Sequence, residues 1–224
     1  RRLTSQCEAA YHEASALSRV RIHADLFEVR VDPRGLRYPL VNGLRLSHHP
    51  KGDLTWGEVD AAWAQAAQLL LFVGGTAGFA SRDLRVVPLT SCAKIIEVGR
   101  GGDRRIVHSL GKDALESKED RGEKNVSDGA GHIRSMVLSL CAFNALLYQL
   151  VYHIETSVLG AKVGPAPSSS SIERPPYKMS RYQIGQYDLQ RLREGDDPGW
   201  SAVVQCIASN LKWLAENAGS FDPM

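Results

Sequence analysis

The chain has 224 residues, of which 43% are hydrophobic and 23% charged, with 27 basic and 25 acidic side chains. That length is sufficient for one large domain or two small ones with a hydrophobic core. The near balance of charge argues against nucleic-acid binding, for which a strongly basic face is the usual footprint.

The N-terminal residues 1–24 are predicted to form a helix. Leu3, Ala10 and Leu17 are spaced by seven residues, a weak heptad pattern that is equally compatible with an ordinary amphipathic helix. Because the sequence begins at Arg1 rather than Met, we expect a fragment or an incomplete gene product. No secretory signal is visible.

A β-hairpin is predicted over residues 26–46. Apolar and polar residues alternate over 26–31 with the two-residue period of a half-buried strand. The DPRG sequence at 32–35 has the composition of a turn. LVNGLRL at 40–46 is predicted to be the second strand, in which the Asn-Gly pair at 42–43 marks either a bulge or a tight bend.

The segment that follows, from Thr55 to Val73, is predicted to be an amphipathic helix. Thr55 and Glu58 are expected to form a capping box, in which each side chain accepts the other's backbone amide, and Gly74-Gly75 is expected to end the helix. The apolar residues recur every three or four positions on one face, and they are Trp56, Val59, Trp63, Ala66, Leu70 and Val73. We expect Trp56, Trp63 and Leu70 to anchor the helix in the core.

Three more strands and a long helix are predicted in the middle of the chain. The strands are DLRVVPL, KIIEV and RRIVHSL, and a polar loop over 111–131 separates them from a helix over about 132–159. Residues 135–154 contain no Asp, Glu, Lys or Arg and are long enough to cross a bilayer. Polar residues interrupt this stretch, including Asn144, Gln149 and His153. Because burying them in lipid would be costly, we expect a helix buried within a globular domain.

The last part of the chain is predicted to hold two short strands around Gly185 and a final helix. A Ser/Pro-rich segment at 164–176 precedes them and is expected to be flexible. Asp197 is the predicted N-cap of the helix, with Pro198 in its first turn. The apolar stripe consists of Trp200, Val203, Val204, Ile207, Leu211 and Leu214. Trp200 and Leu211 are predicted core anchors, whereas Trp213 lies off this face and is expected to border a neighbouring element or an interface.

The order of these elements indicates an internal repeat, because strands precede a helix three times. The predicted fold class is α/β, with three β-sheet–α-helix repeats packed as one globular domain over 25–219. The predicted repeats are about 25–75, 84–160 and 176–217, with flexible insertions at 111–131 and 162–175.

The sequence contains no recognisable catalytic, cofactor or metal motif. Dinucleotide-binding and Walker glycine loops are absent, as is a Gly-x-Ser-x-Gly elbow, and GRGGD at 99–103 is interpreted as a surface turn. Adjacent imidazoles on a strand would point to opposite faces, so His48 and His49 are expected to be loop-end histidines rather than metal ligands. The four cysteines are dispersed without a Cys-x-x-Cys pair, which predicts buried thiols rather than disulfides or a zinc site.

The segment LVNGLRLSHHP…LTWGEVDAAWAQAAQLLL resembles the first repeat of the C-terminal domain of the beclin family, the β-α repeated, autophagy-specific domain. In that family a strand of the type Asn-Asn-Phe-Arg-Leu-Gly leads into a helix of the type Trp-x-Glu-Ile-Asn-Ala-Ala-Trp-Gly-Gln. The matching positions are Asn42, Arg45, Leu46, Trp56, Glu58, Ala61, Ala62, Trp63 and Gln65. LRVVPL at 84–89, PYKM at 176–179 and SNLKWL at 209–214 resemble later parts of the family's domain in the same order.

The resemblance covers roughly residues 15–217, and it implies three sheet–helix repeats about a pseudo-threefold axis, preceded by the end of a coiled coil at 1–24. It implies a non-catalytic regulatory subunit of a class III phosphatidylinositol 3-kinase complex, acting in autophagosome assembly and endosomal sorting. The implied partners are other subunits of that complex, through the coiled coil, and anionic membranes. The implied location is cytoplasmic and peripheral on endomembranes, at the phagophore assembly site and the endosome.

The sequence departs from the family before its second helix, where well-studied members carry an aromatic finger that inserts into the bilayer. The corresponding region here, GKDALESKEDRGEKNVSDGAGH, has no aromatic residue, so membrane insertion is not expected of it. The candidate lipid-surface contacts are Lys112, Lys118, Arg121 and Lys124. Each is worth about 1 kcal/mol near anionic lipid, partly offset by neighbouring acidic residues.

Two alternatives are left open. The first is an α/β enzyme of an unrecognised family with scattered catalytic residues, which would require a deep polar pocket with His48 or His108 as candidate members. The second is a structural partner-binding module without membrane contact, which the missing aromatic finger favours.

Overall fold

The computed structural model describes residues 26–32, 34, 38–89, 92–99, 105–110, 129–159, 174–193 and 196–221. Several predicted features lie outside these residues: the helix over 1–24, half of the turn at 32–35, most of the turn at 99–103, the insertion over 111–128 and most of the Ser/Pro-rich segment. The described residues form three small antiparallel sheets and three long helices.

The first sheet has three strands rather than the two of the predicted hairpin. Its strands are β1 (Val29–Arg30), β2 (Leu40–Val41) and β3 (Leu44–Arg45), paired in that order. The Asn-Gly pair forms a tight bend between β2 and β3, because both residues have positive φ, 52° and 79°, as a two-residue hairpin turn of type I′ requires. Of the two predicted roles for this pair, the tight bend is therefore confirmed.

Helix α1 (Trp56–Thr76) follows the first sheet. Thr55 is its N-cap, as predicted, and the Thr55 hydroxyl accepts the Glu58 amide at 3.3 Å. The predicted reciprocal bond is wrong, because the Glu58 carboxylate binds Arg45 instead. The predicted helix end at Gly74-Gly75 is also wrong: both glycines are helical, and the chain turns at Gly78, where φ is +64°.

The second sheet contains β4 (Leu84–Pro88), β5 (Ala93–Val98) and β6 (Arg105–Leu110) in sequential antiparallel order. These are the three strands predicted from DLRVVPL, KIIEV and RRIVHSL. Helix α2 (Gly129–His153) follows among the described residues and continues as a π-helix over Ile154–Leu159. It confirms the long helix predicted over about 132–159.

Helix α2 is the candidate membrane span of the sequence, and it is a core helix in the folded chain. Over Arg134–Ser157 it is long and apolar enough to cross a bilayer, but 72% of its most apolar window is buried within the protein. Its polar side chains bind other elements: Asn144 donates to the Ser180 carbonyl at 2.7 Å, and Gln149 donates to Asp83 at 3.0 Å. His153 lies 2.9 Å from the Ala77 carbonyl. These bonds give partners to polar groups that would be costly to bury in lipid, although the Asn144 side-chain oxygen has none in the described part of the chain.

The third sheet is a short hairpin of β7 (Gln183–Ile184) and β8 (Tyr187–Asp188) around Gly185, as predicted. A 3-10 turn (Leu189–Arg191) leads toward α3 (Asp197–Asn217), which is followed by a second 3-10 turn (Ala218–Ser220). The N-cap of α3 is Asp196, whose carboxylate accepts the Gly199 amide at 3.1 Å. The prediction of Asp197 as N-cap is therefore wrong by one residue.

The three sheets and three helices share one hydrophobic core. Each described sheet precedes a long helix in the chain, so the fold is mixed α/β. The largest fully buried side chains come from all parts of the molecule, among them Leu46, Leu69, Phe143, Leu147, Ile184 and Ile207. The equivalence of the three sheet–helix units as repeats, and their boundaries, stay predictions.

Candidate functional site

Arg45 and Glu58 form a charged clamp between the first sheet and α1. The Arg45 guanidinium donates to both Glu58 carboxylate oxygens at 2.8 Å, and the Arg45 amide donates to the same carboxylate at 3.0 Å. A second arm of the guanidinium binds the Asp53 carboxylate at 2.7 Å. These hydrogen bonds from Arg45 lower the pKa of Glu58, so the clamp is charged at neutral pH and fixes β3 to the start of α1.

Asn42 joins the first sheet to the middle of α1. Its side-chain oxygen accepts the Glu28 amide at 2.8 Å, while its nitrogen donates to the Leu26 carbonyl at 3.1 Å and to Gln65 at 2.8 Å. Because Asn tolerates positive φ better than most residues with a side chain, one residue both makes the turn and supplies these bonds.

Trp63 joins the same helix to α2. Its indole nitrogen donates to the Ser47 carbonyl at 2.7 Å, and its ring packs edge-on against Phe143 with centroids 5.1 Å apart. The polar and aromatic residues that carry the family resemblance therefore fasten the first sheet to α1, and α1 to the core.

The remaining predicted anchor residues lie in or beside the core. Leu70, Trp200 and Leu211 are buried, and Trp56 is half-buried against the core. Trp213 is also buried, with its ring centroid 5.6 Å from that of Phe221. Trp213 therefore contacts a neighbouring element, which is one of the two locations predicted for it.

His48 and His49 lie in the loop between β3 and α1. The prediction that they point to opposite faces is wrong, because the chain bends here rather than continuing as a strand. Their ring centroids lie 4.0 Å apart. The Nε2 atoms of both rings face the carboxylate of Asp197, the first residue of α3. Lys51 binds the other side of that carboxylate at 2.9 Å. We call these four residues the histidine–aspartate cluster.

Burial and charge keep His48 neutral. The pKa of His48 is lowered to about 4, mainly by burial and also by the neighbouring His49, while the Asp197 carboxylate opposes both effects. The ring of His48 stacks on Trp200 with centroids 5.0 Å apart and planes 15° apart. The Lys51 ammonium lowers the pKa of Asp197. The cluster therefore combines an oriented neutral imidazole with a carboxylate that is ionised at neutral pH.

A groove of about 420 Å³ lies between α1, α2 and β4. Its walls are mainly aliphatic and aromatic, with Ser81 and Arg85 as polar members, and neither His48 nor His108 lines it. His108 lies in the second sheet, 3.4 Å from the Glu97 carboxylate. The polar pocket that the enzyme alternative requires is therefore not this groove.

The described cysteines are thiols rather than disulfides. Cys141 and Cys206 are buried and Cys92 is half-buried. Burial raises the pKa of Cys141 and of Cys206 to about 11, so both are protonated at neutral pH and poor nucleophiles. The four candidate lipid-surface residues, Lys112, Lys118, Arg121 and Lys124, lie outside the described residues.

A family model for the Apg6 BARA domain matches residues 17–220. The chain belongs to the beclin (Apg6) family. It is 25% identical to Beclin-1-like protein B of Dictyostelium discoideum over 212 residues, which is 94% of this chain and 22% of that protein. It is 24% identical to the vacuolar protein sorting-associated protein atg6 of Schizosaccharomyces pombe over 209 residues, 92% of this chain and 40% of that protein.

This beclin-family chain thus spans less than half the length of the two relatives. The predicted family is confirmed, and the first-repeat residues that suggested it lie together at the junction of the first sheet and α1. The histidine–aspartate cluster was missed by sequence reasoning, because Lys51 and Asp197 are 146 residues apart. No local signal connects the two segments.

Proposed function

We propose that this domain belongs to a non-catalytic regulatory and scaffold subunit of a class III phosphatidylinositol 3-kinase complex. In this proposal it is a membrane-targeting and protein-interaction domain that acts in autophagosome assembly and endosomal sorting, cytoplasmic and peripheral on endomembranes. The observation that carries the proposal is the family match over residues 17–220. The names of the relatives, Beclin-1-like protein B and atg6, support an autophagy-related role.

The hydrogen bonds of the family-motif residues also support a scaffold role. Asn42, Arg45, Glu58 and Trp63 all bind partners within the fold, so they stabilise the domain rather than face a substrate. The groove beside α1 is mainly apolar, whereas an enzyme site needs convergent polar groups. In this proposal, residues 1–24 carry the coiled-coil pairing with other subunits. The basic residues at 112–124 carry the membrane contact.

A chimera tests the role in the complex. The C-terminal region of the S. pombe relative, over which the two chains align, would be replaced by this chain in cells that lack the native protein. We expect restored autophagy under starvation and recovery of the lipid kinase with the chimera. A folded chimera that recovers neither the kinase nor autophagy would contradict the proposal.

Flotation with anionic liposomes tests the membrane part separately. We expect binding at low salt that weakens as salt rises, because exposed charges are screened. This binding should be lost when four basic residues are changed to Gln, namely Lys112, Lys118, Arg121 and Lys124. The matched control changes four exposed basic residues elsewhere, Arg82, Lys178, Arg193 and Lys212. Salt-resistant binding would indicate an inserting apolar element instead. Absence of binding at either salt would make the domain a scaffold without membrane contact.

A further inference from the structure

The histidine–aspartate cluster joins two distant parts of the chain. His48 and His49 lie between β3 and α1, and Asp197 is the first residue of α3. One ligand atom from each of these three residues lies within 4.8 Å of the other two. We propose that His48, His49 and Asp197 bind a divalent transition-metal ion, best fitted by Zn²⁺, which ties the β3–α1 loop to the first turn of α3.

The spacing of the ligand atoms is close to that of a zinc site. The Nε2 atoms of His48 and His49 lie 3.7 and 3.9 Å from Asp197 Oδ1. In a tetrahedral site with Zn–N and Zn–O bonds of about 2.0–2.1 Å, neighbouring ligand atoms are about 3.3–3.4 Å apart. Each imidazole therefore has to approach the carboxylate by roughly half an ångström. Three protein ligands leave the fourth position open to water.

Packing holds the cluster in a ligand-like arrangement. The His48 ring is fixed by its stacking on Trp200, and the His49 ring lies 4.0 Å from it. Nδ1 of His49 is buried and has no hydrogen-bond partner within the described part of the chain. Because Nε2 is the nitrogen that faces Asp197, Nδ1 would carry the ring proton when Nε2 binds the ion.

The ligand types select the kind of ion. Imidazole nitrogen suits Zn²⁺, whereas Mg²⁺ prefers six oxygen ligands in an octahedral site. Lys51 opposes any cation, because its ammonium lies 2.9 Å from Asp197 Oδ2. The Lys51 ammonium binds Oδ2 of Asp197, whereas both imidazoles face Oδ1. Because the Lys51 side chain is exposed, its charge weakens cation binding but does not occupy the metal position.

Zinc titration of the untagged, metal-free chain tests the proposal. We expect one saturable site by calorimetry, with shifted imidazole resonances of His48 and His49 in NMR spectra, and neither effect with Mg²⁺ at the same concentrations. His49→Ala and Asp197→Asn should each weaken zinc binding by about tenfold or more. Lys51→Gln should tighten it, because the competing charge is removed. His48 is left unchanged because it is packed on Trp200.

The chain has seven histidines, so a matched control is needed. His108→Gln alters a histidine that also faces a carboxylate, Glu97, and it should leave zinc affinity unchanged. Thermal melts would establish that each variant is folded. The proposal is overturned if the parent shows no saturable zinc binding. It is equally overturned if His49→Ala and Asp197→Asn bind zinc as tightly as the parent, or if Lys51→Gln does not bind it more tightly.

Discussion

The Arg45–Glu58 clamp shows how one charged pair can position an element. Exposed ion pairs contribute little to stability, but this one is part-buried, bidentate and reinforced by the Arg45 backbone amide. Asp53 binds the same guanidinium from the solvent side. Geometry of this kind makes the pair specific for one orientation of β3 against α1.

Replacing Glu58 should change the pH dependence of stability. Hydrogen bonds from Arg45 lower the pKa of Glu58 from the unfolded value of 4.5, so its contribution is fully present above that pH and is lost as pH falls through the folded pKa. Glu58→Gln should therefore lower the free energy of unfolding at neutral pH, and its difference from the parent should shrink below about pH 4.5. Urea unfolding at a series of pH values measures this difference.

Glu216→Gln is the matched control for the clamp. Glu216 is an exposed partner of Lys212 within α3, at 3.6 Å, and its replacement should change stability little at any pH. A Glu58→Gln variant whose difference from the parent is the same at pH 7 and at pH 3 would contradict the charged clamp.

At the scale of elements, two buried asparagines hold the third-sheet segment between α2 and α3. The Asn210 side chain accepts the Tyr177 amide and donates to the Tyr177 carbonyl, both at 3.0 Å. Asn144 donates to the carbonyls of Ser180 and Gln183, at 2.7 and 3.3 Å. A two-stranded hairpin is marginal by itself, so these amides substitute for a neighbouring strand.

Removing either asparagine side chain should loosen the third sheet. Asn210→Ala and Asn144→Ala each remove hydrogen bonds to part-buried backbone groups, at a cost of about 1–3 kcal/mol for each variant. We expect faster hydrogen exchange over residues 177–184, with much smaller changes in the second sheet. Asn217→Ala is the control, because the Asn217 side chain donates within α3, to the Trp213 carbonyl. Unchanged exchange over 177–184 in both variants would contradict this role.

At the scale of the whole molecule, tryptophans connect separate elements through the shared core. Trp63 of α1 packs against Phe143 of α2, and Trp200 of α3 stacks on His48 in the β3–α1 loop. Both indole nitrogens donate to backbone carbonyls, those of Ser47 and Arg193. Because these contacts join the first, second and third sheet–helix units, we expect the domain to unfold as one cooperative unit.

Truncation of either tryptophan should destabilise the entire domain. Trp63→Ala and Trp200→Ala should each lower the free energy of unfolding by about 3–5 kcal/mol, with coincident transitions by circular dichroism and fluorescence. Trp56→Ala is the control and should cost less, because Trp56 is only half-buried. If both buried variants kept the parent's unfolding midpoint, their assignment to the core would be wrong.

Local spacing was enough to predict most of the elements. The apolar periodicity located α1, α2 and α3, and β4, β5 and β6 appeared where β-branched residues cluster, because helix and strand periods are properties of neighbouring side chains. Helix ends were less predictable. Asp196 rather than Asp197 caps α3, and the Asp197 carboxylate binds Lys51, which lies 146 residues away in the chain.

The sequence by itself determined the family, the α/β class and the buried faces of the helices, because motif order and periodicity are carried by residues close together in the chain. Only the tertiary structure decided which partners the polar side chains find. Glu58 turns to Arg45 instead of Thr55, Asn144 reaches Ser180, and both loop histidines meet Asp197. Such pairings depend on how segments that are separated in the chain approach each other. The sequence between those segments does not specify this approach.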